Sequence, residues 1–598
     1  AAEARVLGIF EDTPEGPRLR PTDRRQRDDF VVLPNESLDA RHGELVLAEL
    51  MPATRMGLRR ARILERLGDS AEPRAISLIA IHANDIPTVF PQAALDQAER
   101  AAPPQLGSRA DLRRVPLVTI DGADARDFDD AVWAAPDPEV PGGWRLLVAI
   151  ADVAWYVRPG DALDRAAHQR GNSAYFPDRV VPMLPEALSN GLCSLKPGED
   201  RACIAVEMRV DARGELTAHR FLRGLMRSAA RLTYEQVQAA LDGRPDDVTG
   251  PLLDPVLRPL HEAYRVLAGA RTRRGTLDLD LPERMIRLDE RGRVAEIVPR
   301  QRLDSHRLIE EFMICANVAA AEALEARGAP CLYRIHDQPS PDKLEALRDF
   351  LGSLGQPLAK GVLRAADLAR IVERFRDRPE SAMVSTVMLR SQAQAVYAPG
   401  NIGHFGLALR RYAHFTSPIR RYADLLVHRS LIRAWGLGEG GLDEAEAARL
   451  DEIGQHVSAT ERRAAAAEQD AEARYAAAWL AERVGATMAG RISGVTRFGL
   501  FVTVDPGGVE GFVPSSTLPD DRYEHDPAAH ALVGARWGRV FRLGAPVRIR
   551  VAEADPITAS TLFALLEPDG ADLAGLPPPR ADGTRRPPRR AAGRGRRP

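Results

Sequence analysis

Five aspartates fall within ten residues in the stretch TIDGADARDFDDA: Asp121, Asp124, Asp127, Asp129 and Asp130. An apolar run over 115–120 precedes them and reads as a strand, and Ala131, Val132 and Trp133 follow as a second apolar segment. Carboxylates crowded at the end of a buried strand repel one another and need solvent, protons or cations to neutralise them. The register is not that of a calcium loop: counting from Asp121, position 6 is Arg126 and position 12 is Val132, where glycine and glutamate belong. An oxygen-only cluster suits a hard ion, Mg²⁺ with Mn²⁺ as a substitute, and such an ion serves phosphoryl transfer. Taken alone the pattern also fits an acidic surface turn; its position between two apolar segments argues for the metal.

A second constellation lies at 397–429, where five aromatics, three histidines and five arginines surround TSPIRRY. Pro418 reads as the first residue of a helix capped by Thr416 or Ser417. Amides at that terminus, a hydroxyl and Arg420 would form an anion site, with Arg420 placed to stabilise charge on a phosphorane-like transition state. The alternative is that Arg420 and Arg421 are partners of Asp424 on the surface.

The elements that must position these residues are several. Short strand-like pieces at 6–10, 30–33, 45–50 and 61–64 predict a small OB-type barrel over 1–72, with an arginine-rich loop at 18–27 that could face nucleic acid or simply solvent. A connector over 73–110 holds one helix at 91–101. Residues 111–484 mix strands and helices without regular alternation and are read as α+β, closing in one or two long helices over 442–484. Strand patterning returns over 485–567 as a second OB-like barrel. Residues 568–598 are read as a disordered arginine-rich tail; from 577 onward they hold eight arginines against one aspartate, a phosphate-seeking arm or an inert terminus.

Composition sets limits. The 598 residues, 44% hydrophobic, allow three or four cores, and a net charge of −2 gives no global attraction for nucleic acid, so basic surface must be local. Arginine carries nearly all the positive charge, a composition effect whose consequence is guanidinium forks suited to phosphate. Cys193, Cys203, Cys315 and Cys331 form no CxxC pattern and read as buried free thiols of a cytoplasmic protein. No apolar run approaches the ~18 residues needed to span a membrane, and no signal peptide is seen. The chain starts at Ala1 without an initiator Met, so a longer parent is expected.

TIDGADARDFDDA, IADVAWYV (150–157), VPMLPEALSNGLCSLKPGEDR (181–201), TRRGTLDLDLPE (272–283), HRLIEEFMICANVAAA (306–321), LYRIHDQP (332–339) and GHFGLALRRYAHFTSPIRRYADLLVHR (403–429) resemble, in order, the blocks of the RNB catalytic domain of the ribonuclease II / ribonuclease R family. IHANDIPTVFP (81–91) resembles the connector that follows a cold-shock-type barrel in ribonuclease R, and SGVTRFGLFV with VEGFV resembles an S1-type barrel. The resemblance implies a multidomain fold, an α+β RNB domain flanked by cold-shock-type and S1-type OB barrels. It implies processive 3′→5′ hydrolysis of RNA, single-stranded or also structured, to nucleoside 5′-monophosphates.

Asp121 and Asp130 would hold one Mg²⁺, and Asp127 and Asp129 would hold a second metal or orient water, with Asp129 the most sensitive to substitution. Asp124 falls outside the spacing. Arg420 would contact the scissile phosphate, with Arg421 beside it on the substrate. Tyr175 would pack on the 3′-terminal nucleotide, Tyr234 and Glu310 would sense the ribose, and Glu461 would be a further substrate contact. Read singly, these tyrosines fit rim aromatics and these glutamates solvated helix faces. Ala149 and Trp155 stand where many relatives have histidine. Leu279 stands where many have a phenylalanine that sandwiches the terminal bases. The helix-turn-helix and second cold-shock domain usual in ribonuclease R do not occur in these residues. The expected partner is RNA, for a monomer with no membrane; partner proteins of a degradation machinery are not readable. The competing readings are an RNB-fold protein that binds RNA without cleaving it and a general RNA-binding module; the full set of aspartates and Arg420 weighs against both.

Overall fold

The computed structural model describes residues 5–566 apart from 24, 27, 52–58, 280–282, 362, 528 and 537. The chain divides into two compact units between Trp479 and Leu480, with Asp555–Ser560 belonging to the first. The arginine-rich tail expected over 568–598 lies outside the described residues.

The first unit opens with a closed barrel of β1 (Arg5–Thr13), β2 (Gly16–Pro21), β3 (Phe30–Val31), β4 (Glu44–Met51) and β5 (Arg60–Asp69), in the order β1-β2-β3-β5-β4. Alternation builds its core: Val6, Phe10, Leu19, Phe30, Val46 and Ile63 all point inward. The arginine-rich stretch expected as a loop is in part strand β2. Leu19 turns in, and Arg18 and Arg20 turn out onto Glu15 at 2.5 Å and Glu11 at 2.7 Å, so their charge is spent on neighbouring carboxylates.

The connector holds two helices rather than one, α1 (Arg74–Ala83) and α2 (Gln92–Glu99). One side of α1 packs Ala75 and Ile79 on Leu7, Ile9 and Leu45 of the barrel; Ala80 and Ile81 pack on Ala174, Phe176 and Ala467 of the catalytic region. Buried from two sides, α1 has no polar stripe to announce it in the sequence.

A seven-stranded sheet follows, from β6 (Ala110–Asp111), β7 (Val118–Asp121), β8 (Asp130–Pro136) and β9 (Trp144–Ala151). After the hairpin β10 (Ala174–Phe176) and β11 (Arg179–Val181) come β12 (Asp200–Val210), β13 (Leu216–Arg227) and β14 (Ala230–Thr233). The order β14-β7-β8-β9-β12-β13-β6 is antiparallel in the middle and parallel at both edges. The strand expected over 115–120 begins only at Val118, because Pro116 lacks the amide a ladder needs. Helices α3 (Tyr234–Leu241), α4 (Arg258–Arg274), α5 (Asp304–Ala326) and α6 (Tyr422–Trp435) complete the α+β layers. The closing segment is a short helix, Glu444–Ala448, and α7 (Leu450–Ala481). Gly454 lets α7 pass against the backbone of Tyr397, whose carbonyl oxygen would lie 2.7 Å from a β-carbon there.

In the second unit, strands Thr487–Thr496, Gly499–Asp505, Val509–Pro514, Ser560–Leu565 and Pro546–Asp555 close a barrel in that order. Among the described residues all four cysteines are free and buried, and no helix is long and apolar enough to cross a membrane.

Candidate active site

The hairpin β7–β8 sets the first half of the site. Val118 lies opposite Val132, so Asp121 at the end of one strand and Asp130 at the start of the next share one edge of the sheet. Strand β14 runs parallel to β7 with Thr233 beside Asp121, which delivers Tyr234, the first residue of α3, to the same edge. The intervening loop is pinned at several points. Ser194 Oγ donates to the carbonyl of Arg126 at 2.7 Å and accepts from the amide of Phe128 at 3.0 Å. Arg231 Nη2 donates to the carbonyls of Gly122 at 2.8 Å and Ala123 at 2.7 Å. The amide of Ala151 donates to the Asp129 carbonyl at 2.9 Å.

The second half comes from 417–421, almost 300 residues away in sequence. The helix expected to start at Pro418 starts at Tyr422 instead. Before it the chain forms a turn, the amide of Ile419 donates to Asp129 Oδ1 at 2.9 Å, and that of Ser417 donates to Asp424 Oδ1 at 2.8 Å. These two amides are taken by carboxylates and do not face an anion. The turn is tied to 171–173: Ser173 donates to the Arg420 carbonyl at 3.0 Å and Tyr422 to that of Gly171 at 2.9 Å. The two arginines then part ways. Arg421 makes a two-pronged pair with the buried Asp424, both contacts 2.8 Å. Arg420, its side chain 45% exposed, places Nε 3.5 Å from Asp129 Oδ2. A cavity of about 140 Å³ opens there, lined by Asn172, Tyr175, Tyr397, Arg420, Arg421 and Glu461.

The electrostatics are unfavourable as the chain stands. One oxygen each of Asp121, Asp129 and Asp130 is buried without a hydrogen bond. Burial, against the opposing pull of Arg420, pushes Asp121 up to about 6. Burial and then the neighbouring Asp121 push Asp130 up to about 8. Burial likewise holds Asp129 well above the usual carboxylate range. Such orphaned, oxygen-only donors fit a divalent cation, which would remove the repulsion and satisfy the lone pairs. Among the described residues no three Asp, Glu, His or Cys side chains converge as a ready cage. Asp124 is exposed on the loop, apart from the others.

The remaining expected residues divide. Tyr175, on β10, donates its hydroxyl to Asp127 Oδ2 at 3.3 Å and is 39% exposed at the cavity. Burial, reinforced by Asp127, raises its phenol, so it remains a neutral donor. Tyr234 stacks on His306 with centroids 4.1 Å apart. Glu461 lines the cavity but is paired with Arg334 at 2.7 Å. Glu310 is not a free acceptor: it is held by Arg271 at 3.1 Å and Arg302 at 2.8 Å. Leu279 is half-buried, and residues 280–282 beside it lie outside the described residues. Ala149 is a core residue of β9, and Trp155 lies under the guanidinium groups of Arg109 and Arg158, at 5.1 and 5.0 Å. Sequence reasoning passed over Ser194, Arg231, Asn172 and Glu468, whose carboxylate accepts from the amide of Tyr175 at 2.7 Å. Ser194 and Asn172 sit within or beside the quoted blocks, which was the available signal.

An α+β domain with a carboxylate–arginine site, preceded by one OB-type barrel and followed by another, defines a class of RNA-hydrolysing enzymes. Comparison with protein families matches the cold shock domain over residues 19–91, the RNB domain over 109–436 and the S1 RNA binding domain over 482–555. The chain belongs to the ribonuclease II / ribonuclease R family and is a 3′→5′ exoribonuclease, a metal-dependent hydrolase that binds and degrades RNA. Ribonuclease R of Escherichia coli is 41% identical over 567 residues, spanning 92% of this chain and 69% of that protein. Ribonuclease R of Mycoplasma genitalium, solved with a ribose-methylated single-stranded RNA, superposes with a TM-score of 0.89 at 26% identity, covering 94% of this chain and 90% of the other. The yeast pseudonuclease Ssd1 shares the fold at a TM-score of 0.68 and 18% identity, over 89% of this chain and 67% of its own. Fold alone therefore does not carry the activity.

Proposed function

We propose that this enzyme is a cytoplasmic monomer that digests single-stranded RNA processively from its 3′ end, releasing nucleoside 5′-monophosphates, and that it proceeds into structured RNA from a single-stranded overhang. One observation carries the reading: three buried carboxylate oxygens that accept no hydrogen bond, one of them facing a half-exposed arginine at the wall of a cavity. Asp121 and Asp130 would hold Mg²⁺, or Mn²⁺ in its place, with Asp127 and Asp129 as further ligands; the ion would neutralise charge at phosphorus and acidify the attacking water.

The chain's own residues do the rest. Asp129, fixed through Ile419, orients water against the phosphorus. Arg420 binds the scissile phosphate and stabilises the charge that develops on it. Tyr175 offers an aromatic face to the terminal base without reading its identity, since every base has a π face. Arg421 and Glu461 line the approach. Tyr234 and Glu310 would read the 2′-hydroxyl, the group that separates RNA from DNA; for Glu310 this requires the paired arginines to hold it in place while one oxygen accepts.

The test is a chase experiment. With 5′-labelled RNA, Mg²⁺ and excess unlabelled RNA added after binding, a short labelled end fragment should build up with no intermediate lengths, and uniformly labelled RNA should release nucleoside 5′-monophosphates. A ladder of intermediates would remove processivity, and dinucleotides or longer pieces released from the 3′ end would remove the proposed product.

A further inference from the structure

A second cavity, of about 540 Å³, lies on the central sheet away from the aspartates. Strand register places its floor and walls on one face: Trp133 is opposite Leu147, Leu147 opposite Glu207, Arg145 opposite Arg209, and Glu207 opposite Arg220. Arg145 and Arg209 belong to the halves of β9 and β12 remote from Ala151 and Cys203, the ends nearest Asp129. Segment 112–116, with Arg114, closes the cavity from one side.

Three features of this cavity are unspent. The indole of Trp133 stacks on no ring and on no guanidinium among the described residues. Arg114 and Arg145, both exposed, make no ion pair or side-chain hydrogen bond among the described residues, whereas Arg220 is engaged by Glu207 at 2.8 Å and Arg209 by Glu139. Arg145 faces Arg209 across neighbouring strands, and because Arg209 is already paired with Glu139 and Asp137, Arg145 is the uncompensated cation of the two.

We infer that this cavity binds a nucleoside 5′-monophosphate, its base against Trp133 and its phosphate held by Arg145 and Arg114. An aromatic face accepts any base, guanidinium forks accept phosphate, and the volume falls within the range of small-molecule sites. An acidic peptide would leave the indole unused. An extended RNA strand would need a track of free cations, and here only Arg114 and Arg145 are free, since Glu207 occupies Arg220 and Glu139 and Asp137 occupy Arg209. The choice of ligand rests on the product proposed above; binding itself is measured without hydrolysis.

The test uses the 598-residue chain in EDTA with labelled AMP and equilibrium dialysis. An Arg420→Ala background removes the phosphate contact at the catalytic site. In that background AMP should still bind one to one and quench indole fluorescence, and Trp133→Phe should abolish the quench. Adding Arg114→Ala and Arg145→Ala together should weaken AMP about tenfold or more. Arg145→Ala should leave Tm unchanged, because the exposed Arg145 makes no ion pair or side-chain hydrogen bond among the described residues, so lost binding would not be unfolding. AMP affinity unaffected by the arginine pair would overturn the site. So would a loss confined to a 3′-blocked single strand, which would make the cavity an RNA track. If AMP binds here while the chase experiment yields longer products, the site stands and the proposed source of its ligand does not.

Discussion

Asp129 is the residue on which the two halves of the candidate site meet: Oδ1 takes the amide of Ile419 and Oδ2 faces Arg420. Asp129→Asn keeps an oxygen for the Ile419 amide, so the turn should stay docked. Hydrolysis should fall by about a thousandfold or more while RNA affinity stays within about threefold; filter binding beside a single-turnover assay checks this, and lost affinity would mean the residue holds fold or substrate. The unpaired carboxyls make a second prediction. Asp121 and Asp130 titrate higher folded than unfolded, so their neutral forms favour the fold. Their contribution is fully present below the ordinary carboxylate pKa and is lost as pH rises through about 6 and then about 8. The Tm of EDTA-treated protein should therefore drop between about pH 4 and pH 8, and Mg²⁺ should restore more of it at the upper end. An equal Mg²⁺ effect at both ends would contradict a carboxylate site. The aspartates and Arg420 could be singled out from residue type and spacing, whereas Tyr175 could be singled out only through the family resemblance. The pairing of Glu310 with Arg271 and Arg302 was not legible, since those partners sit 39 and 8 residues away and no local pattern links them.

At the scale of elements, the site depends on how the loop between β7 and β8 is held. Ser194, fully buried, ties both sides of Asp127 through Arg126 and Phe128. Ser194→Ala removes one acceptor and one donor without adding bulk. It should lower kcat by about tenfold to a hundredfold with KM little changed, and should raise the Mg²⁺ concentration needed for half activity, with Ser194→Thr recovering part of the loss. A Tm drop with unchanged kcat would reduce Ser194 to a structural tie. Most strands and the long helix α7 could be read from alternation and composition. What escaped has physical causes. Helix α1 is apolar on both sides because it is wedged between barrel and catalytic domain. Strand β2 is masked by its arginines. The turn at Pro418 postpones its helix because Asp129 and Asp424 claim the amides that a helix start would expose.

At the scale of the whole molecule, the order cold-shock barrel, catalytic domain, S1 barrel was legible because each part carries its own local blocks. The tail was legible only as composition. Deleting 577–598, with its eight arginines, should weaken RNA binding and flatten the dependence of log K on log salt; an unchanged slope would mark the tail as inert. The central claim is that carboxylate-held metal and Arg420 cleave RNA from the 3′ end. EDTA-treated protein given a hairpin RNA with a 3′ overhang, with Mg²⁺ then added back, tests it most directly. The account predicts no release in EDTA and, with Mg²⁺, mononucleotides drawn from the 3′ end. Release in EDTA, release from the 5′ end, or none with Mg²⁺ would contradict it.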